Sequence, residues 1–198
     1  MAKQELCEHI ATIDLETLGI ASNSVIISAG VTVSRYEDKD ITFQELIDTG
    51  LERKFDIKEQ ITLKRAVNDK VVKWWYEQSP EARKILIPSP TDVSLYTFYD
   101  DLVKFFKDKE IDIKKVDFYD RRSFDLSKLE YLFVEEQKVD VPWDFHKEYE
   151  VSTALKYMGF DRYGGIFVKD IEGAVYHNAL HDAAIDHLRI LKCLHSSI

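Results

Sequence analysis

Residues 9–17 read HIATIDLET, an apolar approach that gives way to carboxylates at positions 14 and 16. Side chains alternate across a β-strand, so Asp14 and Glu16 fall on one face and Leu15 on the other. VIISAGVTV at 25–33 is rich in β-branched residues and predicts a second, buried strand. ITFQELI at 41–47 alternates and predicts the third strand of a meander, with turns at Asn23-Ser24 and at 37–40. From Asp69 to Leu86 the spacing becomes helical, and Ser79-Pro80-Glu81 marks a fresh helix start with proline at its first position. Between Thr91, read as an N-cap, and Lys107, the apolar residues Leu95, Phe98, Tyr99, Leu102, Phe105 and Phe106 recur at helical intervals. A short strand near 116–119, a helix over 125–136, a shorter helix around 153–158 and a turn at Tyr163-Gly164-Gly165 follow. The last amphipathic helix begins near Asn178. Strands that come first as a meander and then alternate with helices predict an α/β domain with helices packed on a mixed sheet.

Two carboxylates set into an otherwise buried strand repel one another and are costly to desolvate. One resolution is an exposed strand end. The other is a hard divalent cation that neutralises both, because such ions take carboxylate oxygens. Two further acids stand at comparable places. Asp125, in DRRSFD, follows a strand and suits a helix N-cap. Asp182, in HNALHDA, lies in the first turns of the last helix, where the macrodipole favours negative charge. His177 precedes that helix in its leading loop. His181 and Asp186 repeat the same five-residue spacing within the helix, where two such side chains diverge by about 140°.

Composition narrows the choice. In 198 residues, 45% hydrophobic with 7 Gly and 4 Pro, the chain suits one ordered domain without long linkers. Cys7 and Cys193 fit neither a disulfide framework nor a metal knuckle and suit a reducing compartment. MAKQELCEHI has no long apolar core, so neither signal peptide nor membrane anchor is expected, and the cytoplasm is the expected location. The net charge of −9 argues against sequence-independent coating of nucleic acid, which depends on Lys and Arg neutralising phosphates. It does not exclude an enzyme that grips a few nucleotides through cations.

Asp14-x-Glu16, Ser123-Phe124-Asp125 and His177-x-Ala-x-x-Asp182-Ala resemble the three motifs of the DEDDh class of exonucleases. DLETLG followed by VIISAG, KWWYEQSPEAR at 73–83, RRSFD and HNALHDA are similar to the phage exodeoxyribonuclease A branch of that class, which groups with a bacterial exoribonuclease-like family. Glu150-Val-Ser-Thr153 stands where that family often has Asp-x-Arg-Thr, and FYDRR departs from its more usual Trp-Gly or Trp-Ala run.

The resemblance implies a ribonuclease-H-like fold: a mixed five-stranded sheet, antiparallel meander first and parallel strands after, flanked by helices. It implies a 3'-5' exonuclease with two Mg²⁺ ions, or Mn²⁺ in their place. Asp14, Glu16 and Asp182 would hold the first ion, Asp14 would bridge to the second, and Asp125 would support the second through water. His177 would take the proton of the attacking water. Thr17 and Leu18 would meet the 3' end of the strand. Trp74 and Trp75 are candidates for stacking on bases, although adjacent helical residues cannot face the same way, so one belongs in the core. Arg121 and Arg122 are candidates for phosphate contact or a solvated loop. The implied partner is single-stranded DNA, with RNA the alternative, bearing a free 3' end. The competing reading, a non-catalytic nucleic-acid or protein-binding module on the same fold, would show an eroded acid or histidine, and none is missing.

Overall fold

The computed structural model describes residues 7–196. Five strands, β1 (His9–Thr17), β2 (Ile26–Arg35), β3 (Leu51–Lys54), β4 (Val116–Asp120) and β5 (Glu148–Glu150), form one sheet in the order β3-β2-β1-β4-β5. β1, β2 and β3 pair antiparallel, whereas β4 runs parallel to both β1 and β5. This is the expected mixed sheet. Among the described residues eight α-helices surround it: α1 (Phe43–Thr49), α2 (Ile57–Thr62), α3 (Asp69–Tyr76), α4 (Pro80–Arg83), α5 (Phe98–Asp108), α6 (Phe124–Glu130), α7 (Val151–Tyr157) and α8 (Ala179–Ser196). Among the described residues no helix is long and apolar enough to cross a membrane.

Alternation along β1 sorts its side chains between two layers. Ala11, Ile13 and Leu15 enter the larger core, with Phe98, Leu102 and Phe106 of α5 and Leu126 and Leu129 of α6. Ile10 packs on the other face with Ile190 and Leu191 of α8. Thr12 lies on that same face, and its hydroxyl donates to the Ala183 carbonyl at 2.7 Å. Asp14 and Glu16 continue this face toward the end of the strand, so α8 overhangs both acids.

A buried polar staple fixes α8 to the sheet. His187 is fully buried, with Nδ1 2.9 Å from the Thr32 hydroxyl and Nε2 2.8 Å from that of Ser34. Burial pushes its pKa down to about 3, so the ring is neutral and pairs with hydroxyls, as a desolvated imidazole must. Gly30 supplies the clearance, since a Cβ there would sit 2.2 Å from the Leu180 nitrogen.

Three expectations need correction. ITFQELI is not a strand. Thr42 and Glu45 close a reciprocal capping box that starts α1 and buries Leu46, and the third strand is the charged edge LERK that follows. Thr91 does not cap α5. A turn between Ser89 and Asp92 intervenes, and Ser94 caps a single 3-10 turn that runs into Phe98. Asp125 is not an N-cap either. Asp120 accepts from the Asp125 and Leu126 amides at 2.9 and 3.0 Å, which leaves the Asp125 carboxylate available elsewhere.

Candidate active site

Asp14, Glu16, Asp125 and Asp182 converge at the carboxyl end of β1. The first two come from the strand itself. Asp125 arrives from the first turn of α6, and its Oδ1 accepts the Leu15 amide at 3.2 Å, tying it to the strand between the two acids. Arg122 and Ser123, just before that turn, both have left-handed backbone, with φ of 63° and 50°. The strain of two such non-glycine residues is offset by the Asp120 cap and by Glu150, which accepts the Arg122 amide at 3.2 Å.

Asp182 descends from the first turn of α8, whose start Asn178 caps through the His181 amide at 2.9 Å. Asp182 Oδ2 accepts the His177 amide, also at 2.9 Å, which holds His177 in a left-handed conformation at φ 60°. His177 Nδ1 lies 3.9 Å from Glu16 Oε1. The ring thus hangs over the acids.

Electrostatics set this group apart. Desolvation is the largest influence on Asp14, followed by the charges of Asp125, Glu16 and Asp182, and together they hold its carboxyl well above the usual carboxylate range. Glu16 is raised by burial and then by Asp182 and Asp125. Asp125 is raised by burial and by Asp120. Burial lifts Asp182 to about 7. Groups that resist ionisation when crowded in this way lack a countercharge. One donor atom each from Glu16, His177 and Asp182 lie within 4.8 Å of one another. Carboxylate oxygens in this number suit a hard divalent cation, and the electrostatic penalty they carry is the one such an ion removes. The group is a candidate acidic metal site.

The remaining sequence-picked residues divide. Trp75 is fully buried and its indole N–H donates to the Thr17 carbonyl at 3.0 Å, which removes it as a base-stacking surface. Trp74 is 38% exposed and faces the His177 ring. The side chain of Leu18 is buried with Val25, Ile27 and Trp75, and its amide donates to Val25. The Thr17 hydroxyl donates to Gly19. Both residues therefore serve as wall rather than as open contacts. Arg121 is consumed internally by Asp186 at 2.7 Å, by Ser152 and by the Arg162 carbonyl. Arg122 stays exposed and shares a surface pocket with Arg162 and Tyr163. Asp186 and Arg189 form a buried pair 2.6 Å apart that Arg121 completes.

Two residues beside the site belong to no motif of the sequence. Lys128 of α6 is buried and donates to the Ile20 and Ala21 carbonyls, so the loop after β1 is fastened to the helix that carries Asp125. Ile20 itself is 72% exposed. A lysine three residues past a motif acid carries no pattern of its own, whereas a lone isoleucine between Gly19 and Ala21 was the legible signal.

Comparison with known proteins points to 3'-5' exonucleases. Residues 9–193 match the model of the Rv2179c-like 3'-5' exoribonuclease domain. An exodeoxyribonuclease of Enterobacteria phage T4 is 28% identical over 200 residues, covering 89% of this chain and 85% of that protein. The crystal structure of cell-death related nuclease 4 superposes with a TM-score of 0.50 at 14% identity, over 96% of this chain. The chain spans 64% of that nuclease, a likeness that speaks for the fold alone, one of the ribonuclease-H-like type.

Proposed function

The chain belongs to the Rv2179c-like family of 3'-5' exoribonuclease domains, and on that footing we propose that residues 1–198 form one exonuclease domain acting on single strands, DNA before RNA. Hydrolysis of nucleic acid from the 3' end follows from the family. The finer reading rests on one observation, the convergence of Asp14, Glu16, Asp125 and Asp182 with His177 from strand, loop and two helices. The preference for DNA is supported by the phage exodeoxyribonuclease, which matches most of the chain. A second reading, RNA as the preferred strand, is favoured by the description of the matched family. Two cysteines that fit no disulfide framework support a cytoplasmic location.

Phosphodiester hydrolysis needs an activated water, countercharge on the phosphoryl oxygens and relief for the leaving 3' oxygen. Two Mg²⁺ ions, or Mn²⁺ ions, would supply the countercharge and polarise the water when bound. Asp14, Glu16 and Asp182 would hold one ion and Asp14 with Asp125 the other. His177 accepts the proton of the attacking water at a ring nitrogen. Burial holds its pKa below the ordinary value, so it is unprotonated at neutral pH and ready to act as base. Asp182 adds to this by pinning the His177 backbone. Arg122, with Arg162 beside it, offers charge to the phosphates of the incoming strand, and Thr17 and Leu18 wall the terminal nucleotide.

The test is digestion of 5'-labelled linear DNA and RNA of one sequence, beside internally labelled circles of the same sequence, with Mg²⁺, Mn²⁺ or chelator. Stepwise shortening of linear strands, faster on DNA and silenced by chelator, is the expected result. A faster RNA ladder would select the second reading. Equal cutting of circles, or a ladder indifferent to chelator, would overturn both.

A further inference from the structure

His177 carries two restraints of different kinds. Its backbone is fixed by the amide bond to Asp182. A backbone bond leaves χ1 and χ2 free, and a base with a free ring spends much of its time aimed away from the water it must deprotonate. The ring is confined by aromatic neighbours. Trp74 lies 4.7 Å from it, centroid to centroid, at an interplanar angle of 78°. Trp75 lies 5.9 Å away at 75°. The two indoles are themselves edge to face at 5.2 Å. Trp75 is buried and bonded through its N–H to the carbonyl of Thr17, the residue after Glu16. A rigid chain of contacts therefore runs from the strand bearing the acids, through Trp75, to Trp74 and the imidazole.

We propose that Trp74 is a positioning residue for His177, with Trp75 as its fixed backing, and that the tandem tryptophan of KWWYEQ works on the catalytic ring rather than chiefly on a substrate base. Edge-to-face contact suits this task, because it is an orientation that aromatic rings prefer over a face-to-face sandwich. The inference rests on the reading of His177 as the base. It also explains a placement that base stacking does not, since one tryptophan of the pair has no exposed surface at all.

The test is a double-mutant cycle in kcat and KM on a 5'-labelled single strand, with Trp74→Ala, Trp74→Leu, Trp74→Phe, His177→Ala and the Trp74→Ala/His177→Ala pair. Trp74→Ala and Trp74→Leu should each lower kcat about 10- to 100-fold, the scale of a misplaced catalytic group, with KM changed less than about threefold. Trp74→Leu keeps apolar bulk, so a fold defect confined to the alanine variant leaves it as the measure. Trp74→Phe should recover most of the rate. In the His177→Ala background the Trp74 change should cost less than about twofold, because coupled residues do not add. A rise in KM at unchanged kcat would make Trp74 a base platform and overturn the proposal, as would losses that multiply in the pair. Full activity of His177→Ala would overturn the base reading itself, a failure separate from the other two.

Discussion

Gly30 of β2 lies directly beneath the backbone of Leu180 in α8, so closely that a methyl group on it would fall 2.2 Å from the Leu180 nitrogen and 2.3 Å from the Ala179 carbonyl carbon. Gly30 is also the partner of Asp14 in the β1–β2 register. One missing side chain thus decides how low the final helix rides over the first acid. Because both contacts are backbone, no side chain can yield, and Gly30→Ala must lift the helix start. The expected outcome is a loss of about 1–3 kcal/mol in stability, the usual scale of overpacking. Activity should fall well beyond that, because Asp182 rises with the helix. Chemical denaturation and the cleavage rate measured on one preparation check both. A stable Gly30→Ala enzyme of normal rate would show that the spacing of Asp14 and Asp182 does not matter.

The acids should reveal themselves through pH when metal is absent. Burial lifts Asp182 to about 7 in the folded protein, from an ordinary value of 3.8. The folded state then binds more protons than the unfolded state between those limits, so this group makes stability fall as pH rises from about 4 to 7 and stay level above. In chelator, Asp182→Asn should gain stability over the parent across that window and hold the gain at higher pH. Asp14→Asn, which removes a raised carboxyl from the same crowd, should melt no lower than the parent. His187 works in the opposite sense. Its folded value near 3 lies below the ordinary 6.5, so its contribution is intact above 6.5 and is lost as pH falls toward 3. Melting curves of the parent and the two Asn variants from pH 4 to 8 isolate the carboxylate slopes, with the His187 slope common to all three. A metal-free Asp14→Asn protein melting several degrees lower would make Asp14 a structural residue.

Two histidines compete for the role of base, and the structure gives them different work. The His181 ring accepts the Val175 amide at 2.9 Å through Nδ1 and packs edge-on against Phe43, so it anchors the loop that carries His177. His177→Ala should lose about 10²–10⁴-fold in rate, the range of general-base catalysis, with little change in Mn²⁺ affinity. His181→Ala should lose less than about tenfold, through the loosened loop alone. Rates for the two variants, with Mn²⁺ titrations beside them, decide the matter. A dead His181→Ala beside an active His177→Ala would shift the third motif by four residues.

What the sequence made legible was the set of short-range patterns. Strand alternation alone put Asp14 and Glu16 on one face, and the Asn178 cap put Asp182 in the first turn of α8. The adjacency of Trp74 and Trp75 required opposite burial, and Trp75 is the buried one. The misread third strand was legible too, because Thr42-x-x-Glu45 is a capping-box signature that outweighs three alternating apolar residues. Other features lay beyond any local pattern. Arg121 reaches Asp186 across 65 residues, Lys128 reaches Ala21 across 107, and the fit of Gly30 under Leu180 depends on tertiary packing. These long-range contacts decided that Arg121 is part of the frame while Arg122 stays exposed.

The four-carboxylate cradle is tested most directly by locating the cation. Crystals grown with Mn²⁺ and a single-stranded oligonucleotide carrying a non-hydrolysable 3' linkage give anomalous peaks that need no assumption about mechanism. Two peaks are expected about 3.5–4 Å apart, one among Asp14, Glu16 and Asp182 and the other on the Asp14–Asp125 side, with the 3'-terminal phosphate against both. Ordered oligonucleotide with no peak among these carboxylates, or a peak held elsewhere, would contradict the reading of Asp14, Glu16, Asp125 and Asp182 as the catalytic metal site.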